Sequence, residues 1–274
     1  MSQLELPNSI SQIITICRFE ILKFLRGKKI LAILGITLTI SIILSIIPEL
    51  TNTDYPSTDS DFFLSNLIFV KYFLIISATL FGSSAIISEF HERTGYSLFP
   101  NPVSKTAIWL GKFLAAEIMT IFVAAIFYGI LTISALNIYE SLPTQIGTSF
   151  VFSLFLSTVF VSISFLISSF ARGPTGAAVL VFVILIFLFP MIDQVLISIV
   201  EIKPWFTPSF TGQIIEFVLM EPYPIDLDPD LGPRGPFDHY MFVPYVNDSL
   251  LIMLTYIIIC SIMSIILFQR KQMQ

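Results

Sequence analysis

Six long apolar runs constrain the fold of this 274-residue chain more than any other feature of its sequence. A helix rises about 1.5 Å per residue, so each run is long enough to cross the roughly 30 Å hydrocarbon core of a membrane. The predicted spans are Ile30–Ile47, Asn66–Ile87, Ala107–Leu136, Ile146–Phe170, Thr175–Val200 and Ser249–Phe268. The sequence therefore predicts an all-α integral membrane protein with six transmembrane helices, located as a multi-pass protein in the plasma membrane.

The distribution of charge predicts how the chain is oriented, because Lys and Arg concentrate on the cytoplasmic side of membrane proteins. With a cytoplasmic N-terminus, most cations fall inside: Arg18, Lys23, Arg26, Lys28, Lys29, Arg93, Lys105, Lys112, Arg172, Arg270 and Lys271. Outside there remain only Lys203 and Arg234, with Lys71 near an outer interface. Most acids then fall outside: Glu49, Asp54, Asp59, Asp61, Glu140, Glu201, Glu216, Glu221, Asp226, Asp228, Asp230, Asp238 and Asp248. We predict that both termini are cytoplasmic and that a long extracytoplasmic loop, 201–248, joins the fifth and sixth spans.

The first 29 residues predict a different kind of helix, with apolar side chains on one face and basic ones on the other. The apolar face consists of Ile10, Ile13, Ile14, Cys17, Ile21, Phe24 and Leu25. A basic amphipathic helix lies in the membrane surface with its cations toward anionic headgroups of the lipid bilayer. We therefore divide the chain into an elbow helix at 1–29 and a six-helix transmembrane domain at 30–274. The elbow helix is either a simple lipid anchor or also a contact for a cytosolic partner.

The segment 88–106 is a polar island between the second and third spans, and the orientation places it in the cytoplasm. Glu89, Glu92 and Arg93 suit one or two turns of helix. Gly95 is a natural helix end, and Pro102 prevents the helix from continuing. A short exposed helix between two rigid spans can transmit force to a soluble partner. The plainer alternative is a solvated connector.

The residues of this island resemble the signature of a known family. The pattern consists of Ser88-Glu89, Glu92-Arg93-Thr94-Gly95, Leu98, Pro102-Val103-Ser104-Lys105 and Gly111-Lys112-Phe113-Leu114. It resembles the ABC-2 type permeases, the six-span membrane subunits of ATP-binding-cassette transporters. It looks closest to the subfamily that includes the permease of the nitrous-oxide reductase maturation system. Tyr96-Ser97 and Lys105 depart from the usual Thr-Leu and Arg, which leaves the subfamily and the substrate open.

This resemblance implies partners and roles for the polar island. It implies that the segment from Glu89 to Gly95 is a coupling helix that docks on a separate cytosolic ABC ATPase. The implied coupling residues are Glu89, Glu92, Arg93, Gly95, Pro102, Ser104 and Lys105. ATP and Mg²⁺ would bind to that ATPase, and no cofactor is expected on this chain. The resemblance also implies a second permease copy, most simply as a homodimer, and either export of a substrate or signalling across the membrane.

The residues themselves give no sign of an enzyme. The sequence has no G-x-x-x-x-G-K-[ST] phosphate loop. His91 and His239 fall on opposite sides of the predicted membrane, so they cannot form one catalytic site. Nucleic-acid binding is unsupported. The alternative to a permease is a scaffold or assembly subunit of a membrane complex, which would bind other proteins and move nothing.

The loop 201–248 is too long for a simple connector and is rich in proline. Its apolar part, 211–220, is expected to be partly helical, and the family resemblance implies that it could be re-entrant. The acidic remainder predicts either a surface for an extracytoplasmic partner or a solvated cover over the helix ends. We predict no metal site there. His239 and Met241 are too few for copper, and the alternating aspartates lack the Gly and Glu of a calcium loop.

Two acids lie inside the predicted spans, where ionisable groups are costly and usually face a protein interior or a cavity. Glu117 falls near the middle of the third span, and Asp193 in the outer half of the fifth. One interpretation places them on a translocation path or at a subunit seam. The other is a neutral acid that is hydrogen-bonded by neighbouring Ser or Thr, and this interpretation is the stronger one for Asp193.

Overall fold

The computed structural model describes residues 9–87, 104–226 and 242–270, and it is helical with no strand in those ranges. The helices are α1 Ser9–Arg26, α2 Lys28–Thr51, α3 Asp59–Gly82, α4 Lys105–Tyr139, α5 Ile146–Phe170, α6 Pro174–Val200, α7 Pro208–Thr211, α8 Ile214–Phe217 and α9 Val246–Arg270. Helices α2 to α6 and α9 are long and apolar enough to cross a membrane. The prediction of an all-α membrane protein with six spans is therefore confirmed.

The second span lies closer to the N-terminus than predicted. Helix α3 begins at Asp59 rather than Asn66, and it ends at Gly82 rather than Ile87. Thr58 caps the helix, because its hydroxyl accepts a hydrogen bond from the Asp61 amide at 3.1 Å. Asp59 and Asp61 in the first turn interact favourably with the positive end of the helix dipole. The apolar run begins after these polar residues, so the start predicted for the second span was wrong.

Helix α6 changes its winding twice along its length. Two π-helical turns, Ile184–Leu188 and Leu196–Val200, interrupt the α-helical winding. Pro190 lies just after the first turn and has no backbone N–H to donate to the preceding turn. A π turn adds one residue to the local winding, and such turns are common at functional sites. Residues of this turn and directly after it line the cavity described below.

Helix α5 lies at the centre of the bundle, where it packs against α3, α4, α6, α8 and α9. Small serines line its contacts and allow close approach of neighbouring helices. An ideal Cβ on Gly82 of α3 would lie 2.8 Å from the Ser164 Cβ of α5. The core around it is rich in fully buried aromatic side chains, including Phe63, Phe81, Phe127 and Phe165.

Alternation of the spans gives the bundle two ends. One end holds the end of α3, the start of α4, the α5–α6 connection and the end of α9. We call it the inner end, after the predicted orientation. The outer end holds the α2–α3 and α4–α5 connections. There, the Tyr139 hydroxyl donates to the Pro56 carbonyl at 2.8 Å, and Ser141 donates to Asp59 at 2.8 Å. Which end faces the cytoplasm stays a prediction from charge.

Candidate functional site

The polar island 88–106 is described only at its edges. Glu89, Glu92, Arg93, Gly95 and Pro102 lie outside the described residues, whereas Ser104 and Lys105 lie within them. The roles predicted for the first five therefore stay predictions. The structure does describe how the chain enters and leaves the island, and both edges are attached to other spans.

The entering edge is attached to the end of α5. After α3 ends, the backbone amides of Ile86 and Ile87 both donate to the Ser168 hydroxyl, at 3.1 and 3.2 Å. All three residues are buried. Backbone N–H groups beyond a helix end have no partner in their own helix, so a serine that accepts from two of them fixes the path of the chain. The residues that lead into the island are therefore attached directly to α5.

The leaving edge is attached to the end of α9. Ser104 caps α4 by accepting from the Ala107 amide at 3.1 Å. The Lys105 Nζ donates to the Gln269 carbonyl at 3.0 Å. The last carbonyls of a helix lack partners and lie at its negative end, so a lysine there is favourable. The two edges thus connect the island to α5 and α9.

Helix α1 packs against the start of α4, directly beyond that edge. An ideal Cβ on Gly111 would lie 2.8 Å from the Ile16 Cβ, so only glycine allows this approach. The Lys112 Nζ lies 2.5 Å from Glu20 of α1, and the Lys112 side chain is only 3% exposed. The Phe113 ring stacks on Trp109 with centroids 4.8 Å apart. Gly111 and Lys112 of the Gly-Lys-Phe triplet therefore pack against α1, whereas Phe113 packs within α4 and against Phe165 of α5.

Glu117 lies in the interior of a single chain, between α4 and α5. Its Oε1 accepts hydrogen bonds from the Ser157 and Thr158 hydroxyls of α5, the second at 3.0 Å. Its Oε2 is buried and has no hydrogen-bond partner within the described part of the chain. The side chain therefore faces the α4–α5 contact rather than an open flank of the bundle.

Asp193 of α6 is buried against the segment that follows that helix. Its Oδ1 accepts from the Thr207 hydroxyl, and Ser209 also bonds to the carboxyl. Its Oδ2 is buried with no hydrogen-bond partner among the residues described. Thr207 in turn caps α7 by accepting from the Phe210 amide at 3.3 Å. Asp193 thus attaches the outer part of α6 to α7.

Residues 204–220, which we call the re-entrant segment, return into the bundle from its outer end. An ideal Cβ on Gly212 would lie 3.0 Å from Leu156, about 15 Å along α5 from its start at Ile146. The Ser149 hydroxyl donates to the Ile215 carbonyl at 2.6 Å. From Phe210 onward most apolar side chains of the segment are buried, namely Phe210, Ile214, Ile215, Phe217 and Leu219, whereas Trp205 and Phe206 at its start are exposed. The predicted helical portion is therefore two short helices inside the bundle.

An ion pair joins the re-entrant segment to α3. The Lys71 Nζ lies 2.9 Å from Glu216 Oε1, and both side chains are less than 20% exposed. Lys71 lies about 18 Å along α3 from Asp59, near mid-helix. The orientation argument takes Lys71 as an outer-interface residue and Glu216 as an outer acid. Instead they meet inside the bundle, because the segment after α6 folds back.

A second ion pair holds the ends of the acidic outer stretch together. The Lys203 Nζ contacts both Asp226 oxygens, at 2.8 and 3.1 Å, and lies 3.9 Å over the Tyr245 ring. The Val243 amide donates to Asp226 at 2.6 Å. Burial raises the pKa of the Tyr223 phenol, which stays protonated and donates to the Pro244 carbonyl. Residues 227–241, with Asp228, Asp230, Asp238, His239 and Met241, lie outside the described residues.

A cavity of about 240 Å³ lies between α3, α6 and the re-entrant segment. Its apolar lining includes Ile75, Phe160, Leu185 and Phe189, and its polar lining includes Lys71, Tyr72, Ser209 and Gln213. In the three described ranges, no group of three or more His, Cys, Asp or Glu side chains is placed to hold a metal ion.

Comparison with family models identifies the architecture. Residues 14–273 match the model described as ABC-2 family transporter protein. The chain belongs to the ABC-2 transporter family. The match covers most of α1 and all six spans, so the predicted family is confirmed, whereas the nitrous-oxide reductase subfamily stays a prediction. No curated protein matches the chain.

Family membership makes this chain a permease subunit of an ABC transporter, a multi-pass membrane component whose general partner is an ABC ATPase. Subunits of this kind carry no ATPase site of their own. Sequence reasoning found the polar island and the buried acids, but it missed the residues attached to them. Ser168 is one serine among many in α5, and nothing in its surroundings marks it. Two charges did give a signal: Glu20 is the only acid among the cations of residues 9–29, and Lys71 is the only charged residue between Asp61 and Glu89.

Proposed function

We propose that this ABC-2 permease couples ATP hydrolysis on a separate cytosolic ATPase to export of a substrate, or to a conformational signal passed across the membrane. In this proposal the island 88–106 lies in the cytoplasm and docks on the ATPase, which binds ATP and Mg²⁺. The permease works as two copies, most simply a homodimer, so that closure of two ATPase subunits draws two islands together. The outer loop 201–248 faces the other compartment and offers a surface to an extracytoplasmic partner.

The observation that supports coupling most directly is the attachment of both edges of the island. Ser168 connects the entering edge to α5, and Lys105 connects the leaving edge to α9. A solvated connector would need neither contact. With both edges attached, a displacement of the island is transmitted to the most buried span, α5, and through α5 to the re-entrant segment at the outer end.

Glu92→Lys and Gly95→Pro test this proposal. Each variant is expected to reduce the ATPase bound to the purified permease by about tenfold or more, because a reversed charge or a broken helix removes a docking contact. The membrane helices should remain folded, with an unchanged unfolding temperature. Bound ATPase is measured as ATP hydrolysis per permease after purification from membranes. Glu201→Lys, a reversal of an exposed acid at the outer end, is the matched control and should leave hydrolysis unchanged.

Two results would contradict the proposal. If wild-type permease purifies with no ATP-hydrolysing subunit, the chain acts as a scaffold rather than as a coupled permease. If an ATPase is bound and both island variants hydrolyse ATP at the wild-type rate per permease, docking takes place elsewhere on the chain.

A further inference from the structure

The cavity between α3, α6 and the re-entrant segment lies near the middle of the bundle along its length rather than at its outer end. Lys71 and Ile75 line it from α3, about 18 and 24 Å along that helix from Asp59. On the opposite side, Leu185 belongs to the first π turn of α6, and Phe189 directly follows that turn. The changed winding of α6 therefore coincides with the cavity wall, as is common where a helix forms a functional site.

One flank of the cavity is open at the surface of the chain. Ile68 and Tyr72, which line it from α3, are 42% and 45% exposed, whereas Ile75, Phe160 and Leu185 are buried. Because α3 and α6 are both long and apolar enough to cross a membrane, this flank lies at a depth that a molecule in the bilayer can reach. The volume of about 240 Å³ is just below the usual range for drug-sized ligands, so it fits a small polar end and its first few carbons.

The cation that lines the cavity is already paired, which restricts the class of ligand. Lys71 is its cation, and the Glu216 carboxylate lies 2.9 Å from that ammonium group. An anionic ligand would have to compete with Glu216, and a cationic ligand would meet Lys71. Two uncharged groups, the Ser209 hydroxyl and the Gln213 amide, remain on the re-entrant side. Behind Ser209 lies the Asp193 carboxyl, whose Oδ2 is buried without a hydrogen-bond partner in the described residues.

We propose that this cavity binds the polar end of an uncharged amphipathic molecule from the membrane, of the lipid alcohol or acylglycerol class. A ligand hydroxyl bonds to Ser209 and Gln213, and the first chain carbons pack against Ile75, Phe160 and Leu185. The rest of the chain leaves past Ile68 and Tyr72 into the lipid. Binding at this site does not depend on the proposed ATPase coupling.

A monoacylglycerol that carries a diazirine on an early chain carbon tests the site in purified, full-length protein. The matched probes are a fatty acid and an alkyltrimethylammonium with the same diazirine. We expect the monoacylglycerol to label peptides that contain residues 68–75 and 185–190, in competition with unlabelled monoacylglycerol. Either charged probe should label these peptides at least about tenfold less. Labelling is located by peptide mass spectrometry.

Two variants and one control complete the experiment. Ile75→Trp fills the cavity and should abolish the competed labelling. Ser209→Ala removes the hydroxyl without adding bulk and should weaken labelling by about fivefold. Ile258→Trp places the same bulk on an exposed flank of α9, where Ile258 is 56% exposed, and should change nothing. If Ile75→Trp does not fold, Ser209→Ala decides. The proposal is overturned if labelling is not competed, if a charged probe labels as well as the neutral one, or if Ser209→Ala labels like wild type.

Discussion

Helices α5 and α6 are almost equally apolar in sequence, yet α5 is mostly buried within the chain and α6 is mostly exposed. In the most apolar part of α5, 67% of the residues are buried within the chain, compared with 17% in α6. The difference lies in their polar residues. The buried face of α5 carries seven serines, Ser149, Ser153, Ser157, Ser162, Ser164, Ser168 and Ser169, whereas the exposed large residues of α6 are aliphatic, aromatic or Met. In lipid, apolar surface gives no preference for the interior, so small hydroxyl side chains mark the central helix.

Replacement of glycines by larger residues tests this difference in burial. The largest loss of stability is expected where α3 meets α5. Gly82→Leu should destabilise the protein by about 3 kcal/mol or more, because the new Cβ would lie 2.8 Å from the Ser164 Cβ, which is fixed to the α5 backbone. Gly176→Leu in α6 is the matched change, because a Cβ there has no neighbour within 4 Å. The measurement is the free energy of unfolding in lipid bicelles. Equal losses at both glycines would mean that α5 and α6 are packed alike.

A hydrogen bond should matter less than a steric clash, but the same contrast applies. Ser264 of α9 accepts from the Trp109 indole N–H at 2.9 Å and bonds to the Ser169 hydroxyl of α5 at 2.8 Å. Ser264→Ala should cost about 1–2 kcal/mol, because it leaves the buried indole N–H without that partner. Thr255→Ala on the same helix is the control, since Thr255 is exposed and, among the described residues, its hydroxyl bonds only to the Leu251 carbonyl of its own helix. A loss at Thr255 as large as that at Ser264 would contradict this account of the α5 face.

The sequence predicts the number of spans and the family well, for physical reasons that differ. A spanning helix needs a long apolar run, so all six appear in the sequence by length alone. Their starts depend on individual caps, and Thr58 moved the start of α3 into a stretch that looks like loop. The family pattern rests on local motifs such as Gly111-Lys112-Phe113, whose residues are adjacent in sequence.

Contacts between distant parts of the chain could not be predicted in the same way. Lys71 and Glu216 look like separate outer charges until the chain after α6 folds back into the bundle. The partners of Asp193 are hidden for the same reason, because Thr207 and Ser209 approach it only when the re-entrant segment is in place. One interpretation of both buried acids is a carboxyl that is hydrogen-bonded by neighbouring hydroxyls. This interpretation did not require knowing which residues supply those hydroxyls. Ser and Thr are frequent in the fourth predicted span, which supplies the partners of Glu117, and Thr207, Ser209 and Thr211 follow closely after the span that carries Asp193.

The smallest effect on stability is expected at Glu117, the acid that faces α5. The Ser157 and Thr158 hydroxyls that donate to it each also lie 2.8 Å from the Leu154 carbonyl of their own helix. When the carboxylate is removed, both hydroxyls keep that second acceptor, so neither is left unsatisfied. Glu117→Gln and Glu117→Leu should therefore each change the free energy of unfolding by less than about 1 kcal/mol. A loss of 3 kcal/mol in the Leu variant would show that the acid is a structural support of the α4–α5 contact.

If both Glu117 variants fold as expected, their effects on ATP hydrolysis and transport distinguish the two remaining roles of this residue. Glu117 on a translocation path predicts that Gln and Leu both lower transport while the ATPase stays bound, because the ionisable group is lost in each. Glu117 as a merely satisfied neutral acid predicts that Gln, which keeps its shape and hydrogen bonds, transports like wild type.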